Sequence, residues 1–150
     1  MREILIIKPS SLGDIVHGLR VAQSIKEQSP QTRISWVAAS RFAPLVQACA
    51  TVDRVFIFER KGGLMGFLRL VKELRQQTFD VAMDWQGLAR SGLMIFFVKA
   101  KRKIGRGDYR EGAGLFYNEK VDLPPAGKNS HAQNKTKAKR QERFAFRIEN

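Results

Sequence analysis

Ile4-Leu5-Ile6-Ile7 is an unbroken apolar run rich in β-branched residues. A strand wetted on one side alternates apolar with polar. An uninterrupted run fits a strand covered on both faces, as in a parallel sheet. Residues 8–14 then read as a loop, because Pro9 cannot donate to a ladder and Gly13 is a turn former. From Ile15 the apolar positions Ile15, Val16, Leu19, Ala22 and Ile25 recur at helical spacing, and Ser29-Pro30 marks the end of that helix. The same alternation continues. Residues 34–37 predict a strand, 41–48 a short helix and 54–58 a third strand. Residues 64–75 place Leu64, Phe67, Leu68, Val71 and Leu74 on one helical face. Residues 81–84 predict a fourth strand, 88–99 a further helix and 103–105 a short fifth strand. Beyond about residue 106 the regularity fades. Gly105, Gly107, Gly112 and Gly114 suggest loops, and Pro124-Pro125 marks an end.

Strands alternating with helices imply right-handed βαβ units and an open, mostly parallel sheet, hence a Rossmann-like α/β fold. In such a sheet ligands sit outside the carboxyl ends of the strands. That selects Lys8, Ser10, Ser11, Gly13 and Asp14 after the first strand, and Glu59, Arg60 and Lys61 after the third. It also selects Asp84, Trp85, Gln86 and Gly87 after the fourth, and Arg106, Arg110 and Glu111 in the late loop. The dinucleotide fingerprint G-x-G-x-x-G is absent after the first strand, and no acidic residue closes the second, which ends Val37-Ala38-Ala39-Ser40. The phosphate-loop pattern G-x-x-x-x-G-K-[ST] is absent too. Dinucleotide or nucleoside triphosphate binding in the usual manner is therefore not expected.

Composition narrows the partners. The 150 residues hold 27 Lys and Arg against 14 Asp and Glu, a net charge of +13. Nucleic acid, anionic lipid and phosphorylated or acidic ligands all fit that sign. The charge is uneven. Residues 133–150 carry six cations and two Glu with only five apolar residues, which reads as a solvated helix or a disordered tail. Residues 1–132 keep +9 and form the candidate domain. Lys99-Ala100-Lys101-Arg102-Lys103 reads either as a nucleic-acid or lipid patch or as a solvated basic face. One cysteine, Cys49, excludes an internal disulfide framework and an ordinary cysteine zinc site. The longest apolar run, 92–98, is far short of the roughly 20 residues that span a bilayer. The N-terminus lacks a signal-peptide pattern, so the expected location is the cytoplasm.

Among the candidates, Asp14 sits where the first helix starts. It reads as a helix cap favoured by the helix dipole, or as a carboxylate base at the ligand edge. The dipole lowers a carboxylate's proton affinity, and burial under a substrate raises it, so the two roles can coexist. His17, one turn on, reads as a surface histidine or a proton carrier. Asp84 reads as a site carboxylate or as a cap for the next helix. Arg60-Lys61 reads as a solvated pair or as a grip for carboxylates or phosphates. His17 and His131 are isolated and no carboxylate cluster is evident, so no metal site is expected.

Ordered matches now point to a family. The opening Ile4-Leu5-Ile6-Ile7-Lys8-Pro9-Ser10-Ser11-Leu12-Gly13-Asp14-Ile15-Val16-His17 resembles that of the heptosyltransferases, glycosyltransferase family 9. So do Trp36-Val37, Arg41-Phe42-Ala43-Pro44-Leu45, Val52-Asp53-Arg54-Val55 and the run 79–88 containing Asp84-Trp85-Gln86-Gly87. Arg102-Lys103-Ile104-Gly105, Arg110-Glu111-Gly112, Phe116-Tyr117 and His131-Ala132 follow in the same order. The resemblance implies a GT-B enzyme, with two Rossmann-like domains facing across a cleft, that transfers heptose from ADP-heptose to the inner core of lipopolysaccharide. It implies that this chain is the N-terminal, acceptor-binding half, taking a lipid A that carries acidic Kdo sugars. By the same resemblance Asp14 is the general base, Ser10, Ser11 and Gly13 belong to the acceptor loop, and Arg60, Lys61 and Arg110 contact the acceptor. His17, Asp84 and Gln86 are further candidates. No cofactor is implied beyond the donor sugar nucleotide, which a second domain binds in the family. That domain has no counterpart here, and residues 133–150 depart from the family pattern, so a truncated chain inactive alone is expected. An inner-membrane surface is an expected partner and nucleic acid is not. The other reading of the residues is a basic α/β domain that binds nucleic acid or anionic membrane without catalysis.

Overall fold

Of the 150 residues, the computed structural model describes 1–106 and 111–121. Six strands form one parallel sheet in the order β3-β2-β1-β4-β5-β6. They are β1 (Glu3–Ile7), β2 (Arg33–Ala39), β3 (Arg54–Phe58), β4 (Thr78–Asp84), β5 (Lys99–Arg106) and β6 (Glu119–Val121). The helices are α1 (Leu12–Gln28), α2 (Ala43–Gln47), α3 (Gly63–Leu74) and α4 (Ala89–Phe97). Two 3₁₀ turns, Arg60–Gly62 and Ala113–Phe116, complete the described structure.

The first strand shows why its sequence lacks alternation. Ile4 and Ile6 point to one face, into a core shared with Ile15 and Ala22 of α1, Val46 of α2 and Trp36. Leu5 and Ile7 point to the other, against Leu70 and Leu74 of α3 and Met94 and Ile95 of α4. All four are fully buried, so the strand needs apolar residues at every position. β1 pairs with β2 through Ile4 opposite Ile34 and with β4 through Ile4 opposite Val81. The chain runs outward from β1 to β3, crosses back, and continues through β4. The order thus reverses between β1 and β4, and a crevice opens above their carboxyl ends.

Several boundaries differ from the expected ones. α1 starts at Leu12, with Ser11 as its N-cap residue, so Asp14 occupies the first helical turn instead of capping it. The fifth strand is Lys99–Arg106 rather than 103–105, and α4 stops at Phe97. The basic run 99–103 is therefore a strand and not a loose patch. Lys101 reaches Asp80 at 2.8 Å, and Arg102 grips Glu119 with two hydrogen bonds of 2.7 and 2.9 Å. These ion pairs put polar side chains where the apolar pattern gave no sign of sheet. A sixth strand, only three residues long, was not expected. Arg110, His131 and the 133–150 tail lie outside the described residues. Among the described residues no helix is long and apolar enough to cross a membrane.

Candidate functional site

The β1–α1 loop is fixed from beneath. The Trp36 indole N–H donates to the Lys8 carbonyl at 3.1 Å, and Trp36 meets Trp85 edge to face with centroids 5.7 Å apart. α1 approaches this pair closely at Gly18, where a Cβ would stand 2.7 Å from the Trp36 ring. Lys8, the first residue past β1, is only 4% exposed. Its Nζ lies 3.4 Å from Oδ2 of Asp14, whose side chain is 22% exposed. Burial pushes the Lys8 ammonium below the ordinary lysine value; Asp14 opposes that shift and the Arg106 guanidinium adds to it. The Ser11 hydroxyl also donates to Asp14 Oδ2, at 3.3 Å. Asp14 is thus a water-reachable carboxylate in the first turn of a helix, backed by a cation that water hardly reaches.

Asp84 closes β4 in a different way. It is fully buried, and every hydrogen bond the structure gives it comes from the protein. Oδ1 accepts from the backbone N–H of Gln86 and Gly87 at 2.8 and 3.0 Å. Oδ2 accepts from the Ser91 hydroxyl at 2.7 Å and the Tyr117 phenol at 2.6 Å. Burial pushes its carboxyl up, against the pull of these four donors. Ser91 in turn accepts from the Leu88 N–H at 3.1 Å. Asp84 does not cap the next helix, since α4 has Leu88 as its N-cap residue; its carboxylate instead shapes the β4–α4 loop through Gln86 and Gly87. That loop turns through Gly87, whose φ of +72° and packing against the Arg106 side chain suit only glycine.

Above these loops lies a cavity of about 240 Å³, walled by Pro9, Ser10, Gln86, Ser91 and Met94, with Phe58, Arg60, Arg90 and Glu111 along one side. Those last four residues also edge a second cleft of about 510 Å³ that runs between α3 and α4 over Leu64, Phe67 and Leu93. The Gln86 side-chain oxygen is buried without a hydrogen-bond partner and belongs to the cavity wall. Glu111 accepts from the Ala89 N–H at the start of α4 at 3.2 Å. The Arg90 guanidinium lies over the Phe58 ring, 5.7 Å from its centroid.

The expected residues thus divide. Ser10, Arg60 and Gln86 line one cavity, while Ser11, the N-cap residue of α1, and Asp14, in its first turn, bond to each other and are not among the residues lining either cleft. Gly13 is exposed on the same turn and has open space around it. Lys61 follows Arg60 in the 3₁₀ turn but is not among the residues lining either cleft. His17, half-buried one turn further along α1, is not among them either. Arg90, absent from the expected set, lines both clefts. Its signal was topological: the first turn of a helix that follows a strand lies at the same edge as that strand's carboxyl end.

Residues 67–141 match the family described as Glycosyltransferase family 9 (heptosyltransferase). The chain belongs to this family. Among its relatives, the lipopolysaccharide core heptosyltransferase OpsX of Haemophilus influenzae is 32% identical over 125 residues, covering 82% of this chain and 36% of that protein. Lipopolysaccharide heptosyltransferase 1 of Escherichia coli is 28% identical, covering 89% of this chain and 45% of the relative. The structure of E. coli heptosyltransferase WaaC with ADP superposes with a TM-score of 0.74 at 26% identity, over 92% of this chain and 47% of that one. A family 9 glycosyltransferase from Veillonella parvula shares the fold, with a TM-score of 0.76 at 14% identity, over 95% of this chain and 41% of that one. The chain therefore spans less than half the length of these glycosyltransferases, and its parallel sheet is the α/β unit expected of one half of a GT-B fold.

Proposed function

We propose that this glycosyltransferase family 9 chain is the acceptor-binding half of an inverting heptosyltransferase of lipopolysaccharide biosynthesis. The acceptor is a lipid A bearing acidic Kdo sugars, and the work is done at the cytoplasmic face of the inner membrane. The observation that carries this reading is the cavity at the carboxyl ends of β1 and β4. There Arg60 and Arg90 line the cavity together with Ser10, Gln86 and one carboxylate-bearing residue, Glu111. Guanidiniums grip sugar carboxylates through paired hydrogen bonds, while neutral polar groups select hydroxyls. Asp14 follows the cavity-lining Ser10 by four residues, in the first turn of α1. In this reading it takes the proton from an acceptor hydroxyl as that oxygen attacks the anomeric carbon of the donor heptose, and ADP leaves from the opposite side. Lys8 holds the Asp14 carboxylate ionised and in place for that transfer. Donor binding belongs to the other half of the GT-B pair, as does completion of the reaction. The basic-domain alternative has lost its main support, since Lys101 and Arg102 of the run 99–103 are paired with carboxylates.

Titration calorimetry tests the division of labour. A Kdo-bearing oligosaccharide should bind this chain, and ADP should not. Arg60→Ala and Arg90→Ala should each weaken the acceptor about tenfold or more, as expected for a lost charge-assisted hydrogen bond. Tight ADP binding without acceptor binding would overturn the assignment.

A further inference from the structure

α3 carries its apolar residues in two separate places. Its second half buries Leu70, Val71 and Leu74 against the sheet. Its first half turns Leu64, Met65 and Leu68 outward, the first two 73% and 70% exposed. α4 continues that surface. Leu93 shares a cleft wall with Leu64, and Phe96 and Phe97 follow one turn later, all exposed. Single exposed apolar residues are ordinary on a protein surface; a contiguous group across two neighbouring helices is not. The charge around it is mainly positive. Residues 60–72 contain Arg60, Lys61, Arg69 and Lys72 and no carboxylate, and Arg90 stands between the two helices at the cleft. Glu111 at the cleft, and Glu59 and Glu73 flanking the segment, are the carboxylates nearby. An apolar patch collared by cations is complementary to a bilayer with anionic headgroups, where the side chains enter the acyl boundary and the cations meet phosphates.

The position of the patch supports the same partner. Arg60 and Arg90 border both the apolar cleft between α3 and α4 and the polar cavity at Ser10 and Gln86. A glycolipid acceptor must keep its acyl chains in the membrane while its sugars enter the cavity. We infer that the first half of α3 and the outer face of α4 form a docking surface for an anionic phospholipid bilayer, which sets the acceptor cavity at the membrane plane. This rests on the acceptor-binding reading for its purpose, though the docking itself can be tested without any acceptor.

The test uses the full chain and vesicles of phosphatidylcholine with or without one quarter phosphatidylglycerol, free of lipopolysaccharide. Flotation should recover the protein with the anionic vesicles and not with neutral ones. Leu64→Ser combined with Met65→Ser and Leu68→Ser should lower the partition at least tenfold, with circular dichroism and melting unchanged. Arg69→Ala and Lys72→Ala should each lower it about fivefold. An environment-sensitive fluorophore on Met65→Cys, in a Cys49→Ser background, should shift to the blue only when anionic vesicles are added. Three outcomes overturn the proposal. Vesicle binding unaffected by the α3 substitutions would assign it to another basic region, the 133–150 tail included. A fluorophore already in an apolar setting without lipid would mean that the chain covers its own patch. A blue shift that follows protein concentration alone would assign the surface to a second copy. If vesicles fail and a soluble Kdo oligosaccharide still binds, only the docking is lost; if the oligosaccharide fails and vesicles bind, only the acceptor reading is lost.

Discussion

Lys8 brings a charge to a place that water hardly enters, and the cost has a definite pH signature. Its proton affinity in the fold lies below that of the unfolded chain. Between those two pH values the unfolded chain holds more protons, so stability rises as the pH is raised through that window. Below the window the full cost is present. Lys8→Met should therefore stabilise the domain at pH 7 by about 1 kcal/mol, since Asp14 retains contact with water when its partner is gone. The gain should shrink as the pH approaches 10.5, which urea denaturation at several pH values would reveal. A wild-type lysine that costs stability beside a carboxylate is the pattern expected of a functional pair. Asp84 makes the opposite case. Asp84→Ala leaves four donors without their acceptor and should cost about 3–5 kcal/mol. Asp84→Asn keeps an acceptor for the two backbone N–H groups and offers its amide N–H to the hydroxyl oxygens of Ser91 and Tyr117, so the loss should be under about 1.5 kcal/mol. Because burial raises the Asp84 carboxyl, its contribution is complete below pH 3.8 and declines as the pH rises through the folded-state value. Stability of the Asn variant relative to wild type should accordingly improve between pH 4 and pH 7.

At the scale of elements, helix propensity and packing give opposite forecasts for Gly18. Alanine in mid-helix ordinarily gains about 1 kcal/mol over glycine. Here its Cβ would stand 2.7 Å from one indole ring and 3.0 Å from another, and both rings are buried. Gly18→Ala should destabilise by about 1–3 kcal/mol, and should also shift the near-ultraviolet spectrum of the tryptophan pair. The elements whose apolar pattern reports burial directly, β1, α1, β2 and β4, could be read from the sequence; β3 and α3 could be read too, although Ile57 of the one and Leu64 and Leu68 of the other lie exposed. The first half of β5 escaped, beyond the expected 103–105, because its polar side chains are satisfied by Asp80 and Glu119, partners that lie 21 and 17 residues away. β6 escaped because three residues with Glu119 and Lys120 among them carry no periodicity. In the site, Ser10, Arg60 and Gln86 could be found from the rule that ligands gather at strand carboxyl ends. The role of Asp84 could not, since it depends on Tyr117, 33 positions downstream. Arg90 was open to the same rule, since the expected helix 88–99 and the observed start at Ala89 both put it in the first turn.

At the scale of the whole molecule, two kinds of surface meet at one edge. The polar cavity and the exposed apolar face of α3 and α4 share Arg60 and Arg90, so polar and lipid chemistry are brought within the length of one side chain of each other. Under the two proposals made above, the +9 carried by residues 1–132 serves both acidic sugars and a charged surface. Raising the salt concentration should accordingly weaken vesicle binding more than binding in the cavity, whose ion contacts are less open to screening. The strand order has a further consequence, in time rather than in space. β1 precedes the other five described strands in the chain and yet lies in the middle of the sheet, with β2 on one side and β4 on the other. Its β4 edge stays open until residue 84 has emerged from the ribosome, while the loop that will hold Asp14 has existed since residue 14. The growing chain therefore carries a bare strand edge, apolar from Ile4 to Ile7, until β4 has been made. Pulse proteolysis of stalled nascent chains should find residues 1–28 protected only in those long enough to include β4.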